Sequence, residues 1–569
     1  MFLLVRRVAT MGLVGSGEFA MSRHFRLKGV PLFLVCGLAY FLVVTPPQVA
    51  AQTADERSLG DIAREMRAKQ RSEIRVTAED AKEFFASVDQ ILDFASKDTG
   101  FPKRSQVKRQ LIGRDRVDAY IAQELSKQVE EDRLGRSELV LKKVGLLPAD
   151  FVLKNYLLKS VGQHLAGYYD LRDKTMYLLN WVPLELQRPV MAHELTHALQ
   201  DQNYDLARLR PLEPSSTAKS AGAAMSVSGT DEDEHGIAQR AVLEGQAMVV
   251  FIDYLLRAQG ITLANSPDAQ DLISNSLESY DIPMDLHDAP RVLKESTMFP
   301  YHEGLAFEVE LLRRGGKAKA FAGLFARMPS NTHQILHPDA YLAKAVTPSV
   351  RVPDLRPILA AGFEPLDSGM IGELDARIMA REFGRENDLF TVAANWNGGG
   401  YVAVKRIGIP DRKLTTSDIS LLYVSRWKTA KAARRFAEIY KTALTRRLTV
   451  SREQTMDNAD CVQSASCNGP LWSSKLLTNE GTDYLEILPD NTVLIAQSFD
   501  EAVVSQLREL VLSPAAAQLS ASNLHELSLS LYESPAFLDF QEQVLGDLKR
   551  DLFEKVGAWR KSTPTAQPR

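Results

Sequence analysis

Two histidines four residues apart, His193 and His197, bracket Glu194 in the run Val190-Met191-Ala192-His193-Glu194-Leu195-Thr196-His197-Ala198-Leu199-Gln200-Asp201. On a helix this spacing puts both imidazoles on one face one turn apart, within reach of one metal ion, while Glu194 reaches a water beside that metal. That is the minimum equipment of a zinc hydrolase. The chain holds ten histidines in 569 residues, so a chance match to this pattern is expected in about one such chain in a hundred.

A catalytic zinc takes three protein ligands and keeps one position open, so the two histidines require a partner from elsewhere. Glu244 is the leading candidate. It lies in the apolar stretch Ala241-Val242-Leu243-Glu244-Gly245-Gln246-Ala247, where an unpaired carboxylate is costly to bury and a cation offsets that cost. The alternative is a Glu244 that is exposed or salt-bridged. Gly245 beside it permits close approach of the helix bearing the two histidines. His235 is a rival ligand, but it follows the polar run Asp231-Glu232-Asp233-Glu234. Asp201 either hydrogen-bonds an imidazole, caps the helix end, or is a plain surface residue. With zinc in place, Glu194 is the expected general base, passing its proton on to the leaving amine. For the oxyanion of a tetrahedral intermediate the sequence offers Tyr301, His302, His333 and His337. Tyr301 and His337 lead, because Phe299-Pro300-Tyr301 and Leu336-His337-Pro338 read as turns at a site rim. Each of the four is equally open to a structural role.

The elements that must position these groups read as α+β: a mainly helical core carrying a small antiparallel edge sheet, then a separate α+β domain. Five segments are expected. Residues 1–51 are a leader, 52–158 a helical lead-in, 159–350 the core with the candidate site, 351–513 the accessory domain and 514–569 a helical tail with a disordered end. Within the core, Ala166 to Asp170 and Thr175 to Leu179 read as two short strands of a hairpin directly before the motif helix. Thr175 to Leu179 is the expected edge strand that holds an extended substrate by strand addition; an ordinary structural hairpin is the alternative. Residues 207–236 read as an exposed insertion. Helices are expected from Ile237 to Leu256, Glu303 to Arg314, Lys317 to Arg327, Lys428 to Arg446 and Asp500 to Leu512, and strands over Leu389–Ala394, Tyr401–Arg406, Ser420–Val424, Tyr484–Leu488 and Thr492–Gln497.

Acids and bases nearly cancel, leaving a formal net charge of −4, and no stretch concentrates Lys and Arg as a nucleic-acid groove does. Arg23, His24, Arg26 and Lys28 precede an apolar run from Val30 to Val44 and the small residues Ala50 and Ala51. That pattern is a secretory signal cleaved near Ala51, with an uncleaved membrane anchor as the alternative. The expected location is periplasmic or extracellular, without a stable span after cleavage. Of three cysteines, Cys36 falls in the apolar run, while Cys461 and Cys467 close a small disulfide loop or, less simply, a metal clip. Nothing in the sequence sets the oligomeric state.

The motif resembles the active-site helix of thermolysin-like gluzincin metallopeptidases, and together with Leu243-Glu244-Gly245-Gln246, Phe299-Pro300-Tyr301 and Ile335-Leu336-His337-Pro338 it looks like predicted secreted bacterial metallopeptidases. The resemblance covers about residues 110–345. It implies a zincin fold, one Zn2+ held by His193, His197 and Glu244, Glu194 as base, and a peptide or protein substrate. Two positions depart from it: the gap between His197 and Glu244 is long, and Met248 stands where that family has an aspartate supporting the zinc site. A non-catalytic envelope protein keeping the fold for binding or scaffolding is the competing expectation.

Overall fold

The computed structural model describes most of residues 78–512 together with 548–549 and 551–559. Within that span, positions 114, 117–127, 161–166, 181–183, 207–229, 279–288, 459–468 and several between 349 and 361 lie outside the described residues. The leader, the Cys461–Cys467 loop and most of the 207–236 insertion therefore fall outside them.

The class is α+β, as read from the sequence, with a sheet of its own in the second half. Helices α1 (Ala78–Thr99), α2 (Gln128–Lys143), α3 (Leu184–Tyr204), α4 (Thr230–Leu256) and α5 (Arg291–Ala320) dominate the first half, with strands β1 (Lys108–Ile112), β2 (Tyr168–Asp170) and β3 (Thr175–Leu179) beside them. The motif helix α3 is wrapped rather than amphipathic: Met191, Ala192, His193, Leu195, Thr196, Ala198, Leu199 and Gln200 are all fully buried. A helix apolar on every face belongs in the middle of a core, and its polar residues there need partners.

The small sheet corrects one expectation. Its order is β1-β3-β2, with β1 parallel and β2 antiparallel to β3. Thr175–Leu179 is thus the central strand, and the edge beside the motif helix is β2. The sequence concealed this because β1, Lys-Arg-Gln-Leu-Ile, is charged over its first half and lacks strand alternation.

Helices α4 and α5 cross at backbone contact. A Cβ on Gly304 would lie 2.2 Å from the carbonyl oxygen of Ala241, and one on Gly245 would lie 2.4 Å from that of Gly304. Gly245 therefore serves the approach of α5, not that of the motif helix. Gly304→Ala is expected to cost about 1–3 kcal/mol by forcing the helices apart, read as a lower urea midpoint with an unchanged m-value. Tyr301 and Pro300 sit inside α5 rather than in a turn, and Gly316, with φ of 63°, breaks the helix near its end.

The second half holds one antiparallel sheet of seven strands in the order β4-β5-β6-β10-β9-β8-β7. The strands are β4 (Phe363–Met370), β5 (Trp396–Arg406), β6 (Ile419–Trp427), β7 (Val450–Asp457), β8 (Trp472–Thr478), β9 (Gly481–Leu488) and β10 (Thr492–Gln497). Leu389–Ala394, expected as a strand, is instead a helical turn over Asp388–Thr391 followed by a 3-10 turn. Asp388 imposes it, taking the Arg385 N–H and pairing with the Arg435 guanidinium. One contiguous hydrophobic core runs from Val88 through the motif helix to the sheet and on to Val556. Lys143, at the end of α2, is fully buried and donates to Glu480 Oε2 at 3.0 Å and to Ser498 Oγ at 2.8 Å, tying the helical half to the sheet. Among the described residues no helix is long and apolar enough to cross a membrane.

Candidate metal centre

Helix α3 presents His193 and His197 side by side, and α4 brings Glu244 against both. His193 Nε2, His197 Nε2 and Glu244 Oε2 form a triangle with every side 3.2 Å. A tetrahedral zinc with bonds of about 2.0–2.1 Å separates its ligand atoms by about 3.3–3.4 Å, so the triangle has the dimensions of one face of that polyhedron.

Hydrogen accounting gives an independent test of fit. His197 Nδ1 lies 2.8 Å from Gln200 Oε1. That amide is oriented by its own donor, since Gln200 Nε2 donates to the Leu243 carbonyl and to Gln246 Oε1. His197 therefore carries a hydrogen on Nδ1 and turns Nε2 toward the triangle, the atom whose lone pair a metal would take. Burial, with the charge of Lys549 nearby, pushes His193 well below its ordinary pKa, which favours its neutral form. Burial alone would raise Glu244, but His197 and His193, then Arg240, hold it well below the ordinary carboxylate range. With both imidazoles neutral, at most one hydrogen is available to three contacts among electron-rich atoms. A cation satisfies all three at once, so these residues fit a zinc ion. Arg240 Nη2 stands 3.7 Å behind Glu244 Oε1.

A second cluster joins His333, His337 and Glu373, and here the accounting comes out differently. Lys428 Nζ, a donor only, lies 3.2 Å from His333 Nε2. His333 thus keeps its hydrogen on Nδ1 and gives it to Glu373 Oε2. His337 Nε2–H donates to the same carboxylate, 2.9 and 3.1 Å from its two oxygens. Every contact has its hydrogen, and a metal on His333 Nδ1 would force Nε2–H against the ammonium. This cluster closes without a cation.

The remaining sequence candidates are placed as follows. His337 goes to Glu373. Its neighbour Thr332 bonds Glu234, which precedes Glu244 on α4 by ten residues, about 15 Å along a helix. Tyr301 is fully buried and receives Arg240 Nη2 at 3.4 Å, one residue removed from Glu244. His302 donates to the Leu277 carbonyl. His235, on α4, lies between the Pro329 carbonyl and Gln239. Asp201 binds neither imidazole: it accepts from Tyr169 Oη at 3.1 Å, Lys174 Nζ at 2.8 Å and the Leu206 N–H, tying the hairpin to the end of α3. Met248, one turn beyond Glu244, is fully buried and offers no acceptor for His193 Nδ1, which has no partner among the described residues.

Glu194 is 3% exposed. Its Oε2 accepts the Tyr169 N–H of the edge strand β2 at 3.1 Å, and its Oε1 faces Lys549 Nζ at 3.4 Å. Burial raises its pKa, opposed by the charges of Lys549 and His197. Two residues at the site were not among the sequence candidates, Gln200, which orients His197, and Lys549, which faces Glu194. Gln200 left a signal, an amide three residues after a histidine on one helix face. Lys549 left none. Gln200→Leu is expected to weaken zinc binding about 10- to 100-fold by freeing the imidazole orientation, read by competition with a chromophoric chelator.

Glu308, on α5, packs against Gly245, is fully buried, and has neither carboxylate oxygen partnered among the described residues. Burial pushes its pKa well above the ordinary 4.5. A group raised in the folded state gives stability that is complete below its unfolded pKa and is lost as pH climbs toward the folded one. Glu308→Gln is therefore expected to be more stable than the parent at pH 8, with the difference shrinking toward pH 4 in urea titrations.

In comparisons with protein-family models, curated proteins and solved structures, nothing matches the chain.

Proposed function

We propose that the chain is an exported zinc-dependent peptidase, with His193, His197 and Glu244 as metal ligands and Glu194 as general base. The observation that carries this reading is the triangle of three lone-pair atoms 3.2 Å apart beside a buried carboxylate held at one oxygen. Zinc bound there would act as a Lewis acid toward a carbonyl and an adjacent water. The chain's own residues do the rest. Tyr169 N–H fixes Glu194 Oε2, which leaves Oε1 as the atom that takes a proton from water and returns it to the leaving amine. Gln200 orients His197, and Arg240 stands by Glu244 on the side of Oε1. The position of β2 at the edge of the small sheet, beside the motif helix, supports an extended peptide or protein substrate lying next to Glu194. The basic and apolar stretch before Ala51 supports export.

The test is casein hydrolysis by the zinc-loaded protein, abolished by a chelator and restored by zinc. Stoichiometric zinc with no hydrolysis of casein or unstructured peptides, even with the site opened as described below, would instead favour a binding or scaffolding protein.

A further inference from the structure

The oxygen of Glu194 that the proposed chemistry needs is already taken. Lys549 Nζ lies 3.4 Å from Oε1, and the two side chains are 6% and 3% exposed. The other oxygen holds the Tyr169 N–H, so each oxygen already has a donor against it and the pair is almost closed to solvent. An ammonium donates hydrogens and accepts none, so it cannot relay the proton that Glu194 must take up.

Lys549 is held there by its own element. Residues 551–559 are helical, and Leu548, Leu552 and Val556, four apart, are buried at 0%, 1% and 1% exposure in the same core as the motif helix. That stripe is one face of a helix docked on the protein, and Lys549 follows its first member in sequence. The lysine meets the carboxylate across 355 residues of sequence, so the pairing comes from docking and not from chain proximity.

We propose that residues 548–549 and 551–559 are a built-in plug: the apolar stripe seats it, and Lys549 occupies the Glu194 face, so that the chain as it stands is a latent form. This rests on the reading of Glu194 as the base. The segment acts as an intramolecular competitor, and whatever draws the stripe out of its seat opens the site.

Carbodiimide labelling tests the plug without relying on hydrolysis. In the intact chain, carbodiimide joins Glu194 to Lys549, and added glycinamide enters Glu194 slowly. In Lys549→Ala and in Leu552→Asp, which unseats the stripe, glycinamide enters Glu194 at least tenfold faster by peptide mass spectrometry. The same zinc-loaded variants hydrolyse casein at least tenfold faster than the parent. Equal glycinamide incorporation at Glu194 in the parent and both variants overturns the plug. If incorporation rises but no variant cleaves casein, the plug stands and the peptidase reading falls. If parent and variants cleave equally and label equally, the peptidase stands and the plug falls.

Discussion

Glu194→Gln, made in the Lys549→Ala background where the site is open, is expected to lower casein hydrolysis on the order of 10²- to 10⁴-fold while zinc stays bound. The size follows from what the side chain does and what it leaves alone. Glutamine matches glutamate in shape, and its amide can still take the Tyr169 N–H at the carbonyl oxygen, so the edge strand and the motif helix keep their register. Glu194 contributes no atom to the triangle of His193, His197 and Glu244, so zinc affinity should change little. What is lost is a buried carboxylate that stands outside the ligand triangle and can take up a proton. Burial raises its pKa in the closed chain, against the charge of Lys549. Loss of zinc together with activity would show that Glu194 holds the site together and would remove it from the role of base.

The second large effect separates the two histidine clusters. Glu244→Gln is expected to weaken zinc binding by at least about a thousandfold, because it replaces an anionic ligand in a buried triangle with a neutral amide. Glu373→Gln is expected to leave zinc affinity unchanged. At Glu373 the contacts with His333 and His337 are complete as hydrogen bonds, and Lys428 fixes the tautomer of His333. At Glu244 the Nε2 atoms of two imidazoles converge, and Gln200 holds the hydrogen of His197 on Nδ1, the side away from the carboxylate. The expected loss from Glu373→Gln is in stability, since two half-satisfied histidines remain where the sheet half meets the helices. Isothermal titration with zinc on both variants reads the contrast directly, and similar losses in both would place a metal at each cluster.

The parts of the fold legible in sequence were those written locally. The motif helix, the apolar helix of Glu244, the hairpin and the strand Thr492–Gln497 follow from periodicity, and Thr492–Gln497 is found with the expected bounds. The convergence of His193, His197 and Glu244 was legible because an acid inside an apolar stretch demands a partner. Strands set by tertiary pairing were not legible. Strand β7 is exposed along nearly its whole length and polar apart from Val450 and Met456, so it carries no alternation. Strand β4 contains a proline and an irregularity in its register at Pro365 and Asp367, which breaks the period-two pattern. The edge position of the hairpin was misjudged for the same reason, since it depends on a strand some sixty residues earlier. Lys549 is the extreme case, because nothing near it in sequence refers to Glu194. The turn context of Tyr301 was suggested by Pro300, yet that proline lies within a 30-residue helix.

The most direct measurement is elemental analysis of the intact chain purified without chelators, alongside His193→Ala. The account predicts about one zinc per chain in the parent and none in the variant. An intact, folded chain that takes up no zinc, or a His193→Ala variant that keeps it, would contradict the account at its centre.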